Sequence, residues 1–175
     1  SIDRPLLNRP LAGTYPPGST FKPFMALAAL EGGFRTASYG LRDPGYFDFG
    51  SRRFMDDKIG GHGVVDMYKS IAESCNTYYY MLGSDMGIDV IAEFVGRFGF
   101  GSRTGIDLDG ERTGVLPSRE WKTNAFKRPE AQRWYSGETI SVAIGQGYNN
   151  YTPLQLAHAT AVLASGGMNA TPRLV

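Results

Sequence analysis

The sequence predicts a mixed α and β fold that is rich in helix, and two observations carry that prediction. Apolar residues recur at helical spacing in several segments, and turns rich in glycine and proline separate these segments. The 175 residues include 23 glycines and 10 prolines, and 42% of them are hydrophobic. A chain of this length suits one domain with a sizeable core, so we expect one unit over residues 1–175 without an internal boundary.

The first half of the chain contains an early helix, followed by a long irregular segment over residues 34–63 that we call the excursion. Residues 1–18 are expected to form an irregular or extended lead, and a helix follows Ser19 and ends at Gly32-Gly33. Residues 34–63 are rich in glycine and are expected to form one short hairpin. Residues 64–73 have a helical pattern.

Helices separated by loops are expected in the second half. Residues 77–86 and 88–98 form two short helices, and residues 99–135 are rich in loops. Residues 139–144 alternate enough to form a short strand or an extended segment, and residues 171–175 resemble the start of a strand. Thr152-Pro-Leu-Gln155 is a capping box with proline at the first helical position, which predicts a helix to about residue 164.

Composition excludes several function classes. The formal net charge is +1 and no run of like charges occurs, so a nucleic-acid partner is not expected. No apolar run of about 18 residues is present, so no membrane span is expected. With one cysteine, the chain cannot form an internal disulfide.

Ser19 and Lys22 lie three positions apart where the first helix begins. Residues three apart share a helix face, so the hydroxyl and the amine can approach each other. A buried lysine is more easily deprotonated and can act as the base that activates a serine nucleophile. The alternative is that Ser19 only caps the helix and Lys22 is a surface lysine.

A second motif, Ser74-Cys75-Asn76, follows 55 positions after Ser19. Its hydroxyl and carboxamide could relay a proton and hold a substrate amide. Ser-x-x-Lys followed by Ser-x-Asn is a pattern of serine penicillin-recognising enzymes.

Four longer segments surround these motifs and are far more specific than the motifs alone. They are residues 15–23 (YPPGSTFKP), 73–80 (ESCNTYYY), 98–108 (FGFGSRTGIDL) and 144–148 (IGQGY). With them, essentially the whole chain resembles the transpeptidase domain of class B penicillin-binding proteins, most closely the penicillin-binding protein 2 group of Gram-negative bacteria. The resemblance implies the β-lactamase/transpeptidase-like fold, in which helices pack around a central antiparallel sheet, with this chain holding mostly the helical part.

The resemblance also implies a serine D,D-transpeptidase of peptidoglycan synthesis that acts during cell-wall elongation. Ser19 would attack the D-Ala-D-Ala carbonyl of a stem peptide, with Lys22 as base. Ser74 would relay the proton to the leaving amine, and Asn76 would hold Lys22 and the substrate amide. An amine of a neighbouring stem peptide would then close the cross-link, and β-lactams would acylate the same serine.

Partners and location follow from the same resemblance. It implies membrane proteins of the elongation complex as partners, no organic cofactor, and a place at the periplasmic face of the bacterial inner membrane. The membrane anchor of the family is not expected within these residues.

The third motif of the family, Lys-Thr-Gly, does not occur in the sequence. Residues 122–124 (KTN) are a near miss, but they follow Trp121 in a helical turn that Ser118 is expected to cap. The chain is therefore expected to stop before the Lys-Thr-Gly strand, and acylation by these 175 residues alone is expected to be slow or absent. Two alternatives stay open: a catalytically incomplete scaffold, and a β-lactamase or β-lactam sensor, although no Glu-x-x-x-Asn-type loop is recognisable for a hydrolase.

Cys75 also belongs to a candidate metal set with Asp43, Asp56 and His62. A thiolate, an imidazole and two carboxylates are plausible tetrahedral zinc ligands, although their spacing follows no finger-type pattern. The alternative is a small buried thiol, a histidine that bonds its own loop, and two aspartates that form turns. The resemblance favours a structural Zn²⁺, since some members of the penicillin-binding protein 2 group carry a zinc site with this residue set beside the active site.

Overall fold

Helices make up most of the secondary structure, as predicted. The structure, a computed structural model, describes residues 8–174. The helices are α1 (Arg9–Ala12), α2 (Lys22–Glu31), α3 (Met67–Ala72), α4 (Asn76–Gly96), α5 (Arg119–Ala125), α6 (Pro129–Gln132), α7 (Ser136–Val142) and α8 (Pro153–Ala164), and a 3₁₀ turn (Gly18–Phe21) leads into α2. Of the expected irregular lead, residues 1–7 lie outside the described residues, and the rest contains α1.

The strands form two nested antiparallel pairs instead of the single expected hairpin. The outer pair joins β1 (Leu41–Asp43) to β4 (Gly63–Val65), and the inner pair joins β2 (Tyr46–Phe49) to β3 (Arg52–Met55). In this nested arrangement, the end of β1, the end of β3 and the start of β4 meet at one place. The chain thus folds its glycine-rich excursion back on itself.

Helix α4 is the centre of the core and packs against both α2 and α7. Tyr78, Tyr79 and Leu82 on α4 are fully buried, as are Phe24 and Met25 on α2. Leu82, Phe24 and Met25 each contribute about 1.5–3 kcal/mol through burial. The helix is interrupted at a residue with non-helical backbone angles (φ 75°, ψ 165°), which is Gly87, so the predicted break there is confirmed.

Three predicted elements differ from the structure. Residues 139–144 are not extended, because Ser136–Val142 forms α7 and its last turn packs closely on Gly83 of α4. The predicted helix over residues 64–73 begins later, since β4 takes up its first residues and Asp66 then caps α3 by accepting from Lys69 N at 2.8 Å. Residues 171–174 form no strand.

Helix α8 is confirmed together with its cap. The Thr152 hydroxyl accepts from Gln155 N at 3.1 Å, and the Gln155 carboxamide accepts from Thr152 N at 2.9 Å. Within residues 8–174, no helix combines the length and the apolar character that crossing a bilayer requires.

Candidate active site

Ser19 lies in the 3₁₀ turn immediately before α2, as the sequence predicts for a residue at a helix start. Gly18 precedes it with a positive φ of 56°, and its N–H donates to the Gly145 carbonyl at 3.0 Å. Ser19 itself is exposed. The turn therefore presents a hydroxyl to solvent at the positive end of a helix, where a developing negative charge is favoured.

Lys22 begins α2 and is buried, with 1% of its surface exposed. Its Nζ donates to the Ser74 carbonyl at 2.6 Å, to Ser74 Oγ at 3.0 Å and to Asn76 Oδ1 at 2.7 Å. These three acceptors match the three donors of an ammonium group. The alternative of a surface lysine is therefore excluded.

Ser74 connects Lys22 to Ser19. Its hydroxyl donates to Ser19 Oγ at 2.8 Å and also accepts from Lys22 Nζ. Ser74 has a φ of 56°, a left-handed conformation that is unfavourable for a residue with a Cβ. This conformation lets one residue turn both its carbonyl and its hydroxyl toward Lys22, which is the kind of local strain that functional sites retain.

Asn76 is the first residue of α4 and is 5% exposed. The four residues thus contact one another in the order Ser19, Ser74, Lys22, Asn76, from an exposed hydroxyl to two buried side chains. The structure brings all four predicted catalytic side chains together. The described contact of Ser19 is with Ser74, so the hydroxyl reaches the amine through a second hydroxyl.

The environment of Lys22 makes deprotonation easier. Burial lowers the pKa of Lys22 to about 8, although Asp56, Cys75 and Asp57 oppose this by favouring the charged amine. A pKa near 8 leaves a useful fraction of neutral amine around neutral pH. Lys22 is therefore able to accept a proton under physiological conditions.

The four predicted metal ligands also converge. Asp43 ends β1, Asp56 follows β3, His62 precedes β4, and Cys75 lies just before α4. Each offers a ligand atom within 4.8 Å of the others, and all four residues are buried. The nested strand pairs explain this convergence, since they bring three of the four ligands to one end of the excursion.

The spacing of these atoms fits a tetrahedral zinc site. Sulfur and oxygen ligands of one zinc ion are about 3.5 Å apart when Zn–S is about 2.3 Å and Zn–O about 2.0 Å. Cys75 Sγ lies 3.5 Å from one oxygen of Asp43 and 3.5 Å from one oxygen of Asp56. His62 Nδ1 lies 3.5 Å from Asp56 Oδ1 and 2.7 Å from Asp43 Oδ2, and a metal ion would replace this shorter hydrogen bond.

The chemistry of the cluster also favours a cation. Burial, together with the carboxylates of Asp56 and Asp43, raises the pKa of the Cys75 thiol to about 12. Burial also acts to raise the pKa of Asp43, but hydrogen bonds from its neighbours, including Gly45 and His62, hold it at about 2. A carboxylate that stays charged in a buried site, beside a thiol that a cation would ionise, is a suitable donor set for a divalent metal.

Glu73 is a residue of this region that the sequence reasoning missed. Its Oε2 lies 4.0 Å from His62 Nε2 and 3.5 Å from Lys58 Nζ. A carboxylate beside the outer nitrogen of a ligating histidine commonly orients the ring. Its position directly before Ser74 was visible in the sequence, but its approach to His62 depends on the fold of the excursion.

The near miss to the third family motif has a different role. Residues 122–124 lie in α5, and Ser118 Oγ accepts from Trp121 N at 3.0 Å, so the predicted cap is confirmed. Lys122 is 2% exposed and pairs with Glu138. These residues therefore do not substitute for a Lys-Thr-Gly strand at the candidate site.

Comparisons with known proteins identify the family of the chain. The family model for the penicillin binding protein transpeptidase domain matches residues 1–175. The chain is 46% identical over 177 residues to the peptidoglycan D,D-transpeptidase MrdA of Acinetobacter baumannii, covering all of this chain and 26% of that protein. The chain thus spans about a quarter of the length of this curated relative.

Solved structures show the same similarity. Pseudomonas aeruginosa PBP2 in complex with WCK 5153 superposes with a TM-score of 0.92 at 44% identity, over 99% of this chain and 39% of that one. Helicobacter pylori PBP2, in its complex with MreC, superposes with a TM-score of 0.91 at 37% identity, over 99% of this chain and 32% of that one. The predicted fold class is confirmed.

Proposed function

The chain belongs to the penicillin-binding protein transpeptidase family, and on that premise we propose that it carries the nucleophile and the base of a serine D,D-transpeptidase that cross-links peptidoglycan stem peptides. The observation that carries the proposal is the continuous hydrogen-bonded path from Ser19 Oγ through Ser74 Oγ to Lys22 Nζ, with steps of 2.8 and 3.0 Å. The nucleophile, the relay and the base are thus joined by successive hydrogen bonds, and proton transfer requires such distances.

Acylation would begin from the neutral form of Lys22. A neutral amine has two N–H donors and one lone pair, so it can keep its bonds to the Ser74 carbonyl and to Asn76 while the lone pair faces Ser74 Oγ. Both hydroxyls must then turn, so that Ser19 donates to Ser74 and Ser74 donates to Lys22. The Ser19 proton moves to Ser74 as the Ser74 proton moves to Lys22. Ser19 Oγ forms a bond to the penultimate D-alanine carbonyl carbon, and the peptide C–N bond breaks.

The same path would return the proton. Lys22 gives it back through Ser74 to the leaving nitrogen, so that D-alanine departs as a neutral amine and Ser19 holds the acyl group. A stem-peptide amine then attacks the ester and its proton follows the route to Lys22 and back to Ser19. A β-lactam would enter the first half of this cycle, since its strained amide presents the same carbonyl to Ser19.

A zinc ion held by Asp43, Asp56, His62 and Cys75 is part of the proposal. The ion would be structural, because four protein ligands complete a tetrahedral shell and leave no open position. Its support is the convergence of four buried donor groups within 4.8 Å. Since Cys75 lies between Ser74 and Asn76, binding would fix the loop that carries the proton relay.

Partners and location are proposed from the relatives. A Helicobacter pylori relative is known in complex with MreC, and a further relative, 39% identical, belongs to a peptidoglycan synthase complex. We therefore infer that this chain works beside membrane proteins of cell-wall elongation, at the periplasmic face of the inner membrane.

The experiment that tests this function follows both products of the reaction. Full-length protein is incubated with a donor peptide ending in D-Ala-D-Ala and an acceptor amine, and released D-alanine and cross-linked peptide are measured together. A transpeptidase yields both, and Ser19→Ala yields neither. Release of D-alanine or opening of a penicillin without cross-linked product would favour a hydrolase and contradict the proposal.

A further inference from the structure

Lys122, which is buried, and Glu138, which is half-buried, form an ion pair that the proposed acyl transfer does not use. Lys122 Nζ donates to the two carboxylate oxygens of Glu138 at 2.5 and 2.6 Å. Three aromatic rings surround the amine, with centroids 5.3 to 5.6 Å away; they belong to Trp134, Tyr135 and Tyr148. Because the lysine loses its hydration, such a pair is weak evidence for stability, so what the pair holds in place matters more than its own energy.

Glu138 also accepts hydrogen bonds from two further donors. Its Oε1 accepts from the Tyr148 hydroxyl and its Oε2 accepts from Tyr135 N, both at 2.9 Å. Burial acts to raise the pKa of Glu138, but bonds from Lys122, Tyr135 and Tyr148 outweigh it and the net shift is downward. The carboxylate stays charged, and each of its oxygens holds two donors.

Tyr148 joins this cluster to the turn that carries Ser19. It follows the tight loop 145–147, and the Gly145 carbonyl accepts from Gly18 N at 3.0 Å. The two backbones are so close that a Cβ on Gly145 would lie 2.2 Å from the Gly18 carbonyl oxygen. Further along, Tyr15 and Tyr151 exchange two backbone hydrogen bonds at 2.8 and 2.9 Å. Residues 145–151 are therefore the support behind the segment that ends in Ser19.

We propose that Lys122 and Glu138 are positioning residues for the acyl transfer, acting through the Tyr148 hydroxyl and the 145–147 loop to fix the Gly18–Ser19 turn. The inference rests on the proposed function, because it concerns the placement of the proposed nucleophile. Misplacing a reacting group by about 1 Å can reduce a rate by on the order of a hundredfold, so a support of this kind has a measurable effect.

Tyr148→Phe tests whether the Tyr148 hydroxyl connects Glu138 to the Gly18–Ser19 turn. The substitution carries little risk to folding, because it removes one hydroxyl and keeps the ring. Tyr135→Phe is the matched control: its ring also lies beside Lys122, but within residues 8–174 the only hydrogen bond of its hydroxyl is to the Glu130 carbonyl, at 3.4 Å. Saturation kinetics with a fluorescent penicillin, in the full-length protein, separate the non-covalent dissociation constant from the acylation rate constant. Hydrogen exchange of the Gly18 amide reports the position of the turn independently of activity.

The expected result is an acylation rate constant about tenfold lower in Tyr148→Phe, with the dissociation constant and the control variant within about twofold of wild type. Exchange at Gly18 should rise by about tenfold while amides inside α4 stay unchanged. Suppose that the wild-type protein is acylated at Ser19, and that Tyr148→Phe keeps both the wild-type acylation rate and the wild-type exchange at Gly18. That result would overturn the inference and leave the proposed function intact. If wild type is not acylated at Ser19, the proposed function fails, and exchange at Gly18 alone decides whether Tyr148 holds the turn.

Discussion

Asn76 Oδ1 accepts a hydrogen bond from Lys22 Nζ at 2.7 Å, across 54 positions of sequence. Both residues are buried, and each stands at the first position of its helix, α4 and α2 respectively. The neutral carboxamide can hold the amine in place without adding a negative charge that would favour its protonation. The choice of an amide here is thus consistent with a lysine that acts as a base.

The pH dependence of acylation tests the state of Lys22. Because burial lowers its pKa to about 8, the amine is mostly protonated and inactive as a base below that pH, and mostly neutral above it. The penicillin acylation rate should therefore rise about tenfold per pH unit below 8 and level off above it. The measurement is the acylation rate constant from pH 6 to 10, and a rate that is flat across this range would contradict Lys22 as base.

Asn76→Asp should move that profile. A carboxylate 2.7 Å from the amine favours the charged form and raises the pKa of Lys22, so acylation at pH 7 should fall by about tenfold or more and recover at higher pH. Asn124→Asp is the matched control, since Asn124 is exposed on α5. A loss of activity in Asn76→Asp that does not recover with pH would point to lost substrate contact instead of altered basicity.

Gly145→Ala should destabilise the protein more than a comparable glycine substitution elsewhere. Gly145 has φ 72° and a new Cβ would meet the Gly18 carbonyl oxygen at 2.2 Å, whereas Gly33 has φ 69° and open space around it. Backbone strain of about 1–2 kcal/mol is common to both, and the clash adds about 1–3 kcal/mol at Gly145 alone. Equal losses in chemical denaturation would show that the two backbones can separate freely.

Metal removal should loosen the Ser74 loop. If Asp43, Asp56, His62 and Cys75 hold one zinc ion, protein purified without chelator should contain about one zinc per chain, and a chelator should lower the melting temperature. Cys75→Ser should lose the metal and the chelator effect together. Ser70→Ala is the control, because it removes a fully buried hydroxyl outside the cluster. It should keep the metal and the chelator effect. Metal-free protein with an unchanged melting temperature would leave Cys75 as a buried thiol.

The elements that sequence could predict are those that local chemistry decides. The Thr152–Gln155 capping box, the Ser118 cap and the break at Gly87 need only a few neighbouring residues, and the structure has all three. Ser19, Lys22, Ser74 and Asn76 were found because two short motifs stood in specific surroundings. The order in which they contact each other was not visible, since it depends on the left-handed backbone of Ser74.

The failures have tertiary causes. Residues 139–144 include β-branched residues that favour a strand, but Ser136–Val142 forms a helix because it buries its apolar side on α4. In the sequence, Lys122 is notable only as the first residue of a near miss to the Lys-Thr-Gly motif. Its partner Glu138 lies 16 positions away, and no local pattern links the two.

The most direct test of the account is the site of covalent attachment of a β-lactam. The full-length protein is treated with a penicillin, digested and analysed by mass spectrometry. We predict one adduct, on Ser19, that is lost in a folded Ser19→Ala variant and retained in Thr20→Ala, which removes the neighbouring exposed hydroxyl. An adduct on any other residue, or labelling that persists in Ser19→Ala, would contradict the path from Ser19 through Ser74 to Lys22 as the acylation machinery.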